Sequence, residues 1–417
     1  MAVRNPGVRD AGHAKESRFR TLQPHVLIAL ENEPYPYDRR VRQEAEALLA
    51  AGHEVTVCGP TGLGFDTPEE QIDGVHVLRY RAPPGGRGAP GYAREYAVAL
   101  ARLSALMRRA HARRNVDVAF VCSPPDLLIL PALALRRAGA AVVFDHHDLS
   151  PELLDLKFGR RRVLHAAIRW AERFALRHAD VVIASNETYA EIECSRCGLD
   201  RSRVFVVRNG PDPNRIHPVA PRPELRRGRA KLVCWVGMMA GGEGLAHLLD
   251  AAEELLRRRD DVTFALVGPG DGRADLMGDA ARRGLGDAVH FPGRADDELL
   301  RAYLSTADVC VSTYEPNPMN HASTVTKVIE YMAMGRPIVQ FELRETGRVS
   351  AGASLYARAG DPADLAARIA ELLDDPARAA ALGATGRRRA LDGLLWPAQV
   401  PSLLAAVDAA RRLRAAR

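Results

Sequence analysis

Aromatic residues are scarce in this chain, at 6% of its 417 residues. No basic stretch is interleaved with aromatics, which argues against nucleic acid as a partner. Long apolar runs are also missing. The nearest to a membrane span, 127–144, is broken by Arg136 and Arg137. Residues 1–22 lack the apolar core of a secretory signal and read as a flexible tail. Cysteines are few and scattered. Cys58, Cys122, Cys234 and Cys310 fall in apolar, strand-like runs and read as buried thiols. Cys194 and Cys197 form a C-x-x-C, but no second pair is spaced to complete a zinc site. This usage fits a reducing cytoplasm. Lysine is nearly absent: Lys15, Lys157, Lys231 and Lys327 are all there are. The net charge of +6 therefore rests on arginine. Such a charge attracts anionic substrates or an anionic membrane face, although an Arg- and Ala-rich composition also follows from a GC-rich genome. The loop ENEPYPYD after the first strand-like run lacks the glycine-rich turn of a dinucleotide fingerprint, which argues against NAD or FAD there.

What is present is alternation. From residue 25 onward short apolar strands alternate with amphipathic helices, pause in the Pro- and Arg-rich segment 218–230, and then resume. A chain of this length exceeds one compact core. The pattern predicts two Rossmann-like, doubly wound α/β domains facing across a cleft. The domains are expected over 23–217 and 231–396, joined by the linker 218–230. The helical pattern 397–417 is expected to return toward the first domain.

Segment 317–339, NPMNHASTVTKVIEYMAMGRPIV, concentrates the chemistry. It reads as a loop, a helix and the start of a strand. Ser323, Lys327 and Glu330 stand at helical spacing on one face, with Val325, Val328, Ile329 and Met332 turned inward. Ser323 and Thr324 read as N-cap residues. Free N–H groups, hydroxyls and a lysine at a helix start suit a phosphate, and a carboxylate one turn on suits a sugar hydroxyl. A nucleotide diphosphate-sugar fits both.

Several segments together resemble the retaining GT-B glycosyltransferases of family 4. They are Pro36, Asp38, Arg39, Arg40, Val41 and Glu44 with AAGHEVTVCGP; FDHHDLSPE at 144–152; VVRNGPD at 206–212; ALVGPGDG at 265–272; HFPGR at 290–294; STADVCVS at 305–312; and EYMAMGRPIV at 330–339. The resemblance covers nearly the whole chain after the tail. It implies sugar transfer with retention from a nucleotide diphosphate donor to an acceptor hydroxyl, with no cofactor and no metal. By resemblance, His147 contacts the transferred sugar or the reacting centre, Glu330 bonds the donor ribose, and Arg294 falls where the nucleobase is read. His146 is the weaker choice of the histidine pair, because successive strand-end side chains point to opposite sides.

Three departures stand out. Met238 and Glu243 occupy the places of a usual arginine and lysine in VGMMAGGEGL, and Ala322 that of a usual glutamate. A subset with N-P-x-N before the helix and a lysine three residues before the glutamate is more similar, through Asn317, Asn320 and Lys327. Charge accounting then assigns the diphosphate to Lys327 and the N–H groups near Ser323, Thr324 and Val325, beside Gly237, with Arg39 or Arg40 reaching it from the first domain. Asn32, Asp38 and Arg39 are candidates for the acceptor or diphosphate side, Asp38 being equally a helix cap. Gly268, Gly270 and Gly272 read as a tight turn that lets a ligand approach.

The resulting expectation is a cytoplasmic enzyme of polysaccharide, glycolipid or secondary-metabolite synthesis. Two basic helical stretches, 94–114 and 160–177, allow peripheral membrane contact. The alternatives are an epimerase-like GT-B enzyme and a catalytically dead binding module.

Overall fold

The computed structural model describes residues 23–83 and 88–417; the tail read over 1–22 lies outside them. The first sheet has eight strands: β1 His25–Ala29, β2 Glu54–Pro60, β3 Glu69–Ile72, β4 Val75–Tyr80, β5 Val118–Ser123, β6 Ala141–His146, β7 Val181–Ala184 and β8 Val204–Val206, in the order β3-β4-β2-β1-β5-β6-β7-β8. All pairings are parallel except β3 with β4. The central strands are buried on both faces, as parallel strands sandwiched by helices must be. Strand β3, EEQI, carries charge instead of alternation and caps the sheet edge.

The second sheet has six parallel strands: β9 Lys231–Val236, β10 Val262–Val267, β11 Val289–Gly293, β12 Val309–Ser312, β13 Ile338–Phe341 and β14 Ser354–Ala357, in the order β11-β10-β9-β12-β13-β14. In both sheets the order reverses at the first strand. A ligand crevice therefore opens beyond the carboxyl ends of β1 and β5, and of β9 and β12.

Among the described residues, six α-helices surround the first sheet: α1 Arg39–Ala50, α2 Gly88–Arg113, α3 Ile129–Arg137, α4 Ser150–Phe158, α5 Arg162–His178 and α6 Glu187–Cys197. Eight follow with the second: α7 Leu245–Leu256, α8 Arg273–Arg282, α9 Asp297–Thr306, α10 Pro318–Ala322, α11 Thr326–Ala333, α12 Arg344–Val349, α13 Pro362–Asp374 and α14 Pro376–Arg389. The chain turns at 390–395 and ends in α15, Trp396–Ala415. Leu403, Ala406, Val407 and Ala410 of α15 join the core of the first sheet, against β6, β7 and β8. The stretch 376–415 is long and apolar enough by composition to cross a membrane, but here it is two helices packed on the two domains.

The domains meet along a polar seam. Glu345 accepts from Arg208 at 2.7 Å and from Thr188 at 2.6 Å. Asn186 donates to the Ala322 carbonyl at 2.9 Å. Met319 and Ala322 bury themselves in the core of the first domain. The loop that precedes α11 is thus held by both domains.

Behind β6 lies a buried charged cluster. His146 Nδ1 is 2.8 Å from Glu193, Arg196 bridges Glu172 and Glu152, and Asp126 accepts from Ser150 at 3.0 Å. Burial works against a charged His146, but the hydrogen bond and charge of Glu193 prevail and lift it from 6.5 to about 9. Burial lifts Asp126 to about 7. Both folded values exceed the unfolded ones, so the stability they contribute is full at acid pH. The Asp126 part is lost as pH rises from 3.8 to about 7, and the His146 part from 6.5 to about 9. Thermal unfolding of the wild type is expected to occur at lower temperature at about pH 9.5 than at about pH 6, which lie on either side of the His146 window. His146→Gln is expected to flatten that difference. An unchanged pH slope in the variant would rule out this origin.

Candidate active site in the interdomain cleft

A cleft of about 430 Å³ separates the carboxyl edges of the two sheets. Asp38, Arg39 and His147 line it from the first domain, Asn209 and Arg215 from the crossing segment, and Thr326 and Glu330 from α11.

His147 leaves the end of β6, and its Nε2 bonds Asp145. Asp145 is in turn gripped by Arg40 at 2.6 and 2.9 Å. Burial alone would raise the Asp145 carboxyl, but Arg40 and His147 outweigh it and hold it below the ordinary carboxylate range. Asp145 thus stays charged and fixes the His147 ring, whose Nδ1 makes no hydrogen bond to a described residue. Arg40 is fully occupied. It also donates to the Val207 carbonyl at 2.9 Å and to Asn209 at 2.7 Å, and lies 3.1 Å from Glu44. This corrects the expectation that Arg40 reaches a diphosphate. The cation that faces the cleft unpaired, among the described residues, is Arg39, exposed at the start of α1. Asp38 lines the cleft too, but its carboxylate caps α1 through the Val41 N–H at 3.0 Å. Asn32 is exposed and does not line the cleft. Donor atoms of Glu44, Cys122, Asp145 and His147 lie within 4.8 Å of one another, the spacing of a metal site. The Arg40 guanidinium already supplies the cation among them, so these residues do not fit a metal.

On the other side, the expected single helix is two. Asn317 caps the short α10 through the Asn320 N–H at 2.8 Å. Ser323 ends α10, its hydroxyl returning to the Met319 carbonyl at 2.9 Å and lying 3.2 Å from the Tyr189 hydroxyl. Ser323 is therefore not an N-cap and does not share a helical face with Lys327 and Glu330. Thr324 is not one either. Its buried Oγ1 finds no partner, and Val325 precedes α11 with no side-chain cap. The first N–H groups of α11 are left for another acceptor. Thr326 and Glu330 turn to the cleft, while Lys327 reaches beneath it.

Lys327 is buried, 2.5 Å from Glu243 and 4.1 Å from the centre of the Trp235 ring. Tyr314 bonds the other Glu243 oxygen. Burial lowers the ammonium pKa, and Glu243 opposes the fall. The acid at position 243 is thus the partner of Lys327. Gly237, just after β9, has a φ of 151° that favours glycine, and a Cβ there would also crowd Lys327, 2.5 Å from Nζ, and the Trp235 ring at 3.1 Å. Gly268 and Gly270 do not open toward a ligand. A Cβ on Gly268 would meet the Gly237 carbonyl oxygen at 1.7 Å, so these glycines let two loops pack.

Glu330 is buried and ion-paired with Arg215, which also bonds Asp297 at 3.2 Å. Arg215 was missed in the sequence; its position just past the 206–212 motif was the available signal. Arg294 is exposed and reaches across to Tyr37, its guanidinium carbon 5.8 Å from the ring centre. The site therefore joins His147, Arg39, Asp38 and Glu330 in one cleft, with Thr324, Val325, Lys327 and Gly237 behind it. It leaves Asn32 and Ser323 aside.

Two Rossmann-like domains with a shared cleft define the GT-B class of glycosyltransferase. Residues 38–215 match the family described as Glycosyltransferase Family 4, and 230–375 match Glycosyl transferases group 1. The MMP alpha-(1->4)-mannosyltransferase of Mycolicibacterium hassiacum is 30% identical over 67% of this chain and 72% of its own length. The chain belongs to this glycosyltransferase family. It is also 29% identical to the 2-deoxystreptamine glucosyltransferase of Streptomyces kanamyceticus, over 52% of this chain and little more than half, 57%, of that relative. Anabaena HepE in complex with UDP shares the fold, with a TM-score of 0.71 over 93% of this chain and all of its own, at 18% identity.

Proposed function

We propose that this protein moves a sugar from a nucleoside diphosphate donor to an acceptor hydroxyl across the interdomain cleft. The observation that carries the reading is the meeting of His147, Arg39, Arg215 and Glu330 at the uncapped start of α11. An anion seated there meets free N–H groups and the field of Lys327, with the orphaned Thr324 hydroxyl buried behind them. Arg39 closes on it from the first domain. Glu330 accepts from ribose hydroxyls, with Arg215 holding it in place. Arg294 and the backbone of β11 border the place for the base. The leaving diphosphate is neutralised by these groups, with no divalent ion.

On the acceptor side His147 stands at the sheet edge with Asp145 holding its ring. Its free nitrogen takes the acceptor proton or bonds a sugar hydroxyl. Of the carboxylates that line the cleft, Asp38 caps α1 and Glu330 is paired with Arg215, and we favour same-face attack with retention. The relatives named glucosyl- and mannosyltransferases, and the neighbour that holds UDP, support a hexose donor of this kind.

A thermal-shift panel of UDP-, GDP- and dTDP-sugars in EDTA tests the reading. A specific donor raises the melting temperature without added metal, because it binds only the folded state. Slow release of free sugar from that donor is the accompanying sign of transfer to water. No shift with any donor contradicts the proposal, and an isomerised nucleotide sugar as product favours an epimerase.

A further inference from the structure

We propose that the acceptor is an amphiphile, with its hydroxyl-bearing head at His147 and its apolar tail in a cavity of the first domain. This rests on the transferase reading above. The cavity holds about 350 Å³, within the range of small-molecule sites. Helix α2 supplies Tyr96 and Leu100, the loop after β5 supplies Pro125, and α4 supplies Leu153, Leu154 and Phe158. Its polar groups are few. Asp126 and Ser150 bond each other in the wall, and Lys157 lies 5.4 Å from the centre of the Tyr92 ring. A sugar or aminocyclitol would find almost no hydrogen-bond partners there, and an alkyl or prenyl chain needs none.

The location ties the cavity to the reaction. The loop after β5 and helix α4 after β6 both stand at the carboxyl edge of the sheet, beside the crevice where strand order reverses. Helix α4 starts three residues after His147. Lys157, in the cavity wall, is near enough to Glu31 and to Asp148 for its charge to offset part of what burial does to each. Asp148 itself lines the cleft. The cavity therefore adjoins the acceptor side of the site. Leu156, Val163 and Trp170 project from α4 and α5 into solvent, at 49%, 85% and 63% exposure, beside Arg160, Arg161 and Arg162. A tail-bearing acceptor presented by a micelle or an anionic membrane would meet these side chains first.

The test titrates the full chain with n-alkyl glucosides from hexyl to dodecyl, below their micelle concentrations. Affinity is expected to climb about fourfold per methylene, the equivalent of burying each one, until the cavity is full. Ala97 lines the cavity from an exposed position, so Ala97→Trp plugs it without entering the core. This variant is expected to weaken the longer glucosides more than about tenfold, the loss of two or more buried methylenes, while leaving nucleoside diphosphate binding unchanged. Ala93→Trp, also exposed on the lining, serves if the first variant misfolds. Affinity independent of chain length, or unaffected by the plug, overturns the proposal. Failure of the wild type to bind any nucleoside diphosphate strikes at the transferase reading instead, and the chain-length series still decides the cavity.

Discussion

Lys327→Met is expected to lower kcat/KM by about 100- to 1,000-fold, the loss typical of removing one preorganised donor from a developing anion. The ammonium lies under the start of α11, locked at 2.5 Å to Glu243 and stacked on Trp235. Its removal does two things. It takes away a charge that a departing diphosphate needs, and it strands Glu243 as a buried carboxylate. The second effect costs stability, about 3–5 kcal/mol for one broken buried pair. Lys327→Met combined with Glu243→Gln separates the two. The double variant is expected to recover the melting temperature of the wild type but not its turnover. Glu243→Gln alone carries a pH signature. Burial lowers the Lys327 pKa and Glu243 opposes this, so without Glu243 the value drops further. Because the charged form is the useful one, activity of Glu243→Gln fades at lower pH than wild-type activity as pH rises. Steady-state kinetics across the alkaline range reads this directly. Full activity in the double variant would remove Lys327 from the mechanism.

His147→Ala is expected to lower kcat by about 100- to 10,000-fold, the range of a positioned acid–base group, with donor KM nearly unchanged. The ring faces the cleft while the donor groups lie across it on α11. Asp145 is charged, buried and shared between His147 and Arg40. It orients the ring and is not free to take a proton itself. His147→Gln restores a hydrogen bond but no base, so its kcat separates positioning from proton transfer. A variant with lost donor affinity and unchanged kcat would place His147 on the donor side instead.

The architecture was legible in the sequence because apolar strands and amphipathic helices alternate with little interruption. Strand β3 escaped notice because EEQI offers one apolar residue, Ile72, and no alternation, on an edge that pairs with β4. The start of α11 was misplaced for a related reason. A serine and a threonine before an apolar periodic run resemble caps, but Ser323 returns its hydroxyl to Met319 and closes the helix before. The same hydroxyl serves either end, and only the tertiary seam with Tyr189 selects. Glu243 looked like a reversed charge because its partner lies 84 positions away. Arg215 was silent because the residues it pairs with, Glu330 and Asp297, are 115 and 82 positions off. Local spacing carries helices and strands, and ion pairs across a fold leave no such trace.

The most direct test is a crystal structure of the protein with the nucleoside diphosphate that binds it, grown in EDTA. The β-phosphate is expected against the N–H groups of Thr326 and Lys327, with Glu330 on the ribose and Arg39 turned inward. A nucleotide lodged away from α11, or one that binds only when manganese or magnesium is restored, would contradict it.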